Sequence, residues 1–262
     1  MSLSHMPLED DVCDVIGKAM HGLGLSLAQL AKITNLPEGD INAALTGQHD
    51  ADILKQIAIS LQLSPSALIG LPLYQPKASA PDGLVRIVSP FGHAGVNAYI
   101  ISMGGHALAF DTGTDPAPLI EYLEQHQLVL DALYITHRHH DHIAGIQSFD
   151  KTRIIYPEDT QHGQTEKTCS GNKLTAIDVS GHIHPARAYH YDGLSVPVCI
   201  IGDSVFAGSM GKSPNSESYK LALKTAKENL MTLSSNTVLC PGHGPLTTVG
   251  LEKVHNAFLG LN

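Results

Sequence analysis

The chain has no apolar run approaching the roughly 20 residues that a membrane helix needs. Its start, MSLSHMPLEDD, lacks the basic opening and apolar centre of a secretory signal. A cytoplasmic location without a membrane partner is therefore expected. Cysteine is scarce: Cys13, Cys169, Cys199 and Cys240 are scattered without CxxC spacing. Three of them sit among apolar residues, which suits buried free thiols better than a disulfide framework. Cations are few as well, 16 Lys and Arg against 25 Asp and Glu, for a net charge of −9. Binding to nucleic acid or anionic lipid relies on neutralising negative charge, so a small-molecule substrate becomes the better expectation.

What the chain has in quantity is histidine, 16 residues, four of them within His137 to His142. At 262 residues and 43% hydrophobic it can bury one substantial core, or a core with a small satellite. The texture changes at Leu71 to Gly83, where LPLYQPKASAPDG reads as a linker. Residues 9–70 before it carry helical spacing, for example Leu54, Ile57, Ala58 and Leu61. Within them, LSLAQLAKITNLPEGDINAALTG places Ser26 as a cap and Asn35 to Pro37 as a turn between two short helices. After the linker come short apolar segments (VRIVS, VNAYIIS, HALAFDTG, DALYITH, TRIIYP, KLTAIDV, VPVCIIGD) alternating with helical stretches such as PAPLIEYLEQH and SYKLALKTAKENLMTL. This is the pattern of an α/β domain with functional groups where strands run out into loops.

In DALYITHRHHDHIAG, His137, His139, Asp141 and His142 follow an apolar strand directly. Residues two apart in an extended loop point the same way, so His137 and His139 can share one metal while Asp141 and His142 turn to a place beside it. Chance would give HxHxDH roughly 0.004 times in a chain of this composition, which disfavours accident. Three further segments follow in order: SGH at His182, IIGDSVFAGS at Asp203 and LCPGHGP at His243. Over residues 84–262 this set resembles the metallo-β-lactamase superfamily. The resemblance implies an αββα sandwich in which His137, His139 and His182 hold one divalent metal and Asp141, His142 and His243 a second, with Asp203 bridging. Two such ions about 3.5–4 Å apart can share one hydroxide and polarise a carbonyl, so no nucleophilic side chain is required. Asp141 would orient that hydroxide. Nitrogen and oxygen ligation suits zinc and equally permits iron or manganese. Asp111, in AFDTG, stands where the family places an acid that supports the metal loops.

GDSVFAGSMGK, TVLCPGHGPLTTVG and LEKVHNAF resemble the glyoxalase II-like branch, the hydroxyacylglutathione hydrolases. In that branch a Lys nine residues after the bridging Asp contacts the glutathione carboxylate, and Lys212 takes this place. Pro214 and Pro245 stand where those enzymes have tyrosines, and the sequence ends 19 residues after His243, too soon for their C-terminal helical domain. SGHIHPARAY also departs from the family's third motif, making His184 and Arg187 candidate pocket residues. A thioester is thus the leading expectation for the substrate, with a lactone, phosphodiester or β-lactam open. A mono-iron persulfide dioxygenase is an alternative.

Within a helical unit at 1–75, about residues 10–70 resemble a helix-turn-helix domain of the Cro and λ-repressor type, which raises a transcription regulator with a metal-sensing domain as another alternative. Charge opposes it. Residues 1–80 carry four lysines (Lys18, Lys32, Lys55, Lys77) and no arginine against eight acids, a net of −4. The recognition-helix segment presents Glu38, Asp40, Asn42 and Thr46 and no cation, so DNA phosphates would be repelled. The expected role of this unit is protein contact, through a homodimer or against the domain at 84–262.

Overall fold

The computed structural model describes residues 6–48, 50–93 and 95–260. Five helices come first: α1 (Val12–Leu23), α2 (Leu27–Thr34), α3 (Glu38–Leu45), α4 (Ala51–Ser60) and α5 (Pro65–Gly70). Their starts are written in the sequence. The Asp11 carboxylate accepts from the amides of Cys13 and Asp14 while Asp14 returns a bond to Asp11, and Ser26 and Gln29 do the same for α2. Asn35, in left-handed backbone, ends α2 at the expected turn.

Two sheets follow. The first runs β1 (Leu84–Ser89), β2 (Val96–Met103), β3 (His106–Phe110), β4 (Val129–Tyr134) and β5 (Ile154–Ile155) in spatial order, antiparallel as far as β3 and parallel from there. On its outer face lie α6 (Ala117–Gln125) and α7 (His140–Ile143), with Leu119, Leu123 and Phe149 packed on Ala98, Ile100 and Leu133. The second sheet has the order β11 (Thr247–Thr248), β10 (Val238–Pro241), β9 (Val198–Gly202), β8 (Arg187–Tyr191), β7 (Lys173–Asp178) and β6 (Thr165–Lys167). Tyr99, Phe110, Tyr134 and Tyr189 are among the side chains that fill the space between the sheets. Outside the second sheet lie α8 (Ser216–Thr225) and α9 (Val249–His255).

The N-terminal helices join that outer layer. One apolar cluster runs from Val15, Ile16, Leu30, Ile57 and Leu68 through Tyr219, Ala222 and Phe258 to Ile177, Cys199 and Ile201 of the second sheet. The Ser64 amide donates to the Ala257 carbonyl at 2.8 Å. The segment read as a linker is anchored by Tyr74, whose hydroxyl donates to Glu252 at 2.8 Å. Glu252 is fully buried and also accepts from Thr247, Asn256 and the Gly208 amide, at 2.6, 2.8 and 2.9 Å. Burial pushes its carboxyl above the ordinary range.

All four cysteines are free thiols: Cys199 and Cys240 buried, Cys13 half-buried and Cys169 exposed. His21, His126, His162 and His255 are exposed, while His5 and His49 lie outside the described residues. No helix among the described residues is long and apolar enough to cross a membrane.

Candidate metal centre

The seven expected ligands come from four strand ends and meet at one edge of the sandwich. His137, His139, Asp141 and His142 follow β4 and enter α7, His182 follows β7, Asp203 follows β9 and His243 follows β10. Donor atoms of His137, His139, His182 and Asp203 lie within 4.8 Å of one another, and those of Asp141, His142 and His243 form a second group on the same criterion. Asp203 faces both groups. Its Oδ2 is 3.8 Å from His137 Nε2, 3.5 Å from His182 Nε2 and 3.5 Å from His243 Nε2, while Oδ1 is 3.3 Å from His142 Nε2.

The far ring nitrogens are tied down. His142 Nδ1 lies 2.8 Å from Asp111 Oδ2, His182 Nδ1 2.7 Å from the Lys212 carbonyl and His243 Nδ1 2.8 Å from the Gly95 carbonyl. Such partners fix the tautomer and leave Nε2 free to ligate. His137 is held through a relay: its Nδ1 is 3.0 Å from Thr136 Oγ, which donates to Asp111 Oδ2 at 2.8 Å. The Thr136 amide donates to Asp111 Oδ1 at 2.8 Å, so one buried carboxylate orients both metal-facing groups. Asp111 does this from left-handed backbone, φ 57°, an uncommon conformation for a residue with a Cβ.

Close packing leaves little latitude. A Cβ at Gly242 would stand 2.2 Å from Asp203 Oδ1 and 2.6 Å from His142 Cε1. Gly202, at φ 50°, lets β9 pass 2.6 Å from Thr136 Oγ on the same measure.

Burial works against charging His142, yet the Asp203 and Asp111 carboxylates prevail and raise its pKa to about 10. His243 is likewise disfavoured by burial, and hydrogen bonds to Asp141 and Asp203 raise it to about 11. Burial and the neighbouring His142 hold His137 well below its ordinary value. Burial would also raise Asp203 and Asp141. Beside Asp203 the charge of His142 prevails, and beside Asp141 the hydrogen bond from His243, so both carboxyls sit below the usual range.

His142 Nε2 and Asp203 Oδ1 are buried without a hydrogen-bond partner, a rare condition in folded proteins. Two unsatisfied buried donors of opposite kind, within a set of five imidazoles and two carboxylates, fit a pair of divalent cations.

The remaining candidates stand apart from the ligands. Lys212 is exposed, its carbonyl committed to His182. His184 is exposed, with Nδ1 3.1 Å from Ser180 Oγ. The Arg187 guanidinium pairs with Asp178 at 2.7 Å and donates to the Thr160 carbonyl at 3.0 and 3.1 Å. Two other histidines near the ligands in sequence lie elsewhere: His140 is exposed, and His190 is half-buried within β8.

The N-terminal segment, expected to make protein contact, borders the centre itself. Asp10 is buried, paired with Lys18 and accepting from Ser209 at 2.6 Å. A Cβ on Gly244, the residue after His243, would meet the Glu9 amide nitrogen at 3.2 Å. Beyond Glu9 opens a cavity of about 1250 Å³ between residues 6–12, residues 74–80, β1 and Leu246. It reaches Pro245, two residues from His243, but contains none of the seven ligands. Its walls are mainly apolar, with Glu9 and Arg86 among the charged residues.

The metallo-beta-lactamase superfamily profile matches residues 92–158. The hydroxyacylglutathione hydrolase of Salmonella arizonae is 26% identical over 147 residues, 53% of this chain and 57% of that protein. That of Aeromonas hydrophila is 28% identical over 158 residues, 55% and 59%. The chain thus spans somewhat over half the length of these relatives. Among solved structures, the BLEG-1 B3 metallo-beta-lactamase superposes with a TM-score of 0.55 at 26% identity, covering 67% of this chain and 99% of that one. The two-sheet sandwich, the order of the four ligand-bearing turns and these likenesses together make the chain similar to the metallo-β-lactamase superfamily and, within it, to the hydroxyacylglutathione hydrolases.

Proposed function

We propose that the chain is a metal-dependent hydrolase acting on a small ester-like substrate, a thioester or a lactone, with zinc as the first expectation for both metals. The observation that carries this is the placement of Asp203, whose two oxygens face two separate donor groups. Bound there, two divalent cations supply Lewis acidity for the substrate carbonyl and bring the pKa of a water toward about 7.

This chain's residues do the rest. Asp141 remains ionised beside His243 and can accept a proton from an attacking water. Asp111 and Thr136 keep His137 and His142 oriented. Phe206 and Phe91, with ring centroids 5.8 and 5.6 Å from His243, limit water on that side. The remote part of the substrate lies along the apolar cavity beyond Glu9, so the N-terminal unit acts as a wall of the cleft and as a protein-contact element, not as a DNA reader. A homodimer and a small-molecule substrate are the partners in this reading.

Lys212 is the one cationic contact that the glutathione reading supplies, so hydroxyacylglutathione should turn over weakly relative to other thioesters or lactones. Binding energy missing from remote substrate parts costs rate as well as affinity. The test combines metal analysis of purified protein with a screen of thioesters, lactones and β-lactams, repeated on Asp203→Ala. Close to two metals per chain, and loss of most hydrolysis and of metal in the variant, is the expected result. One metal per chain with Asp203→Ala fully active would overturn the two-metal hydrolase and favour a single-metal oxygenase. Efficient, saturable turnover of the glutathione thioester would instead redirect the substrate assignment.

A further inference from the structure

At the end of the sandwich away from the seven ligands, three unlike side chains converge. His106 opens β3, Asp131 lies early in β4 and Cys169 sits in the turn between β6 and β7. The ligands occupy the far ends of β4 and β7, so this cluster is separated from them by the length of those strands. His106 Nδ1 is 2.8 Å from Asp131 Oδ1, and one donor atom from each of the three lies within 4.8 Å of the other two. Beside them opens a hollow of about 20 Å³, lined also by Thr168, Ser170 and Tyr191. That is room for a single water or ion.

We propose that His106, Asp131 and Cys169 form a second, structural metal site that takes one zinc-class divalent cation. Its nitrogen, oxygen and sulfur donors suit zinc, with a fourth position left to water. Three features separate it from an ordinary surface ion pair. The donors come from both sheets, β3 and β4 on one side and the β6–β7 turn on the other, so an ion there clips the sandwich together. The set contains a thiol, which the catalytic centre lacks. The two outer donors are exposed and Asp131 is half-buried, so a cation can enter without opening the core. Hydrogen bonding to Asp131 holds the Cys169 thiol above its ordinary pKa, so binding releases the thiol proton to solvent as the S–metal bond forms.

The experiment is cobalt(II) substitution of the full chain, read in the near-ultraviolet, with metal counted per chain at micromolar metal. The seven catalytic donors are nitrogen and oxygen only, Cys199 and Cys240 are buried in the core, and Cys13 belongs to no group of metal donors among the described residues. A thiolate-to-cobalt charge-transfer band that Cys169→Ser removes is therefore the signature of Cys169. Wild type is expected to show the band and a third metal equivalent. Cys169→Ser and His106→Asn should each lose the band and that equivalent while keeping two metals and wild-type hydrolysis. Absence of the band, a band that survives Cys169→Ser, or a third equivalent taken up only at millimolar metal would overturn the proposal. The outcome is independent of whether the substrate assignment holds.

Discussion

At His142 and His243 the protein sets up a competition between protons and metal. Without metal, their folded-state pKa values of about 10 and 11 exceed the unfolded value of about 6.5. Groups raised in this way contribute stability that is complete below pH 6.5 and is lost as pH climbs through their folded values. His137 and His182, lowered by burial, act in the opposite sense and only below 6.5. Chelator-treated protein should therefore melt at progressively lower temperature between pH 7 and 11, and the loaded protein less so, since metal replaces those protons. Parallel thermal scans of the two forms check this, and identical pH profiles would refute it. Thr136 gives a second prediction at this scale. Thr136→Val keeps the shape but cuts the relay to His137, so metal affinity should fall about 10–100-fold with the fold intact. A competition assay with a chromophoric chelator measures it. HxHxDH was legible in the sequence because its information is local, packed into six residues. Thr136 was not, since its meaning comes from Asp111, 25 positions away.

Among the elements, α9 and the segment before β1 are held by one buried acid. Glu252 has four donors, from residues 74, 208, 247 and 256. Removing the phenol leaves one oxygen of a buried carboxyl with a lost partner, which costs about 1–3 kcal/mol. Tyr74→Phe should lower the unfolding free energy by that amount, read as a lower denaturant midpoint at unchanged slope and unchanged metal content, and an unchanged midpoint would show that the anchor is not energetically significant. The strands rich in apolar residues, such as VNAYIIS and VPVCIIG, were readable from composition. β8 was not, because RAYHY sets Arg187 on the face of Tyr189 and Tyr191 and His190 on the face of Ala188, so each face carries a polar residue and the alternation is blurred. The anchoring of residues 71–83 was hidden too: proline and small residues suit a tether and equally a strap, and only Tyr74's burial decides between them.

For the whole molecule, the question is what the N-terminal helices are for. Their core is continuous with the α8 and α9 layer, and Glu9 and Asp10 reach the loops beside His243. Deleting residues 1–75 would bare Tyr219, Ala222 and Phe258 to water, so the shortened protein should be insoluble or change its association state on size-exclusion chromatography. If the full chain instead retards mixed genomic DNA fragments at moderate salt, and the deletion abolishes this, the regulator alternative returns. The two short helices on either side of Asn35 were legible because caps and turns are local. Its docking onto the sandwich was not, since an apolar stripe does not name its partner.

The bond from the Ser64 amide to the Ala257 carbonyl has a consequence during synthesis. A ribosome releases α1 to α5 long before the residues that complete their core, so the nascent helices must wait, partly uncovered, through nearly two hundred further additions. Long sequence separation between partners also slows folding in the finished chain. The helices made first therefore depend on those made last, and chaperone supply should govern the yield of active protein more than the strength of any single contact.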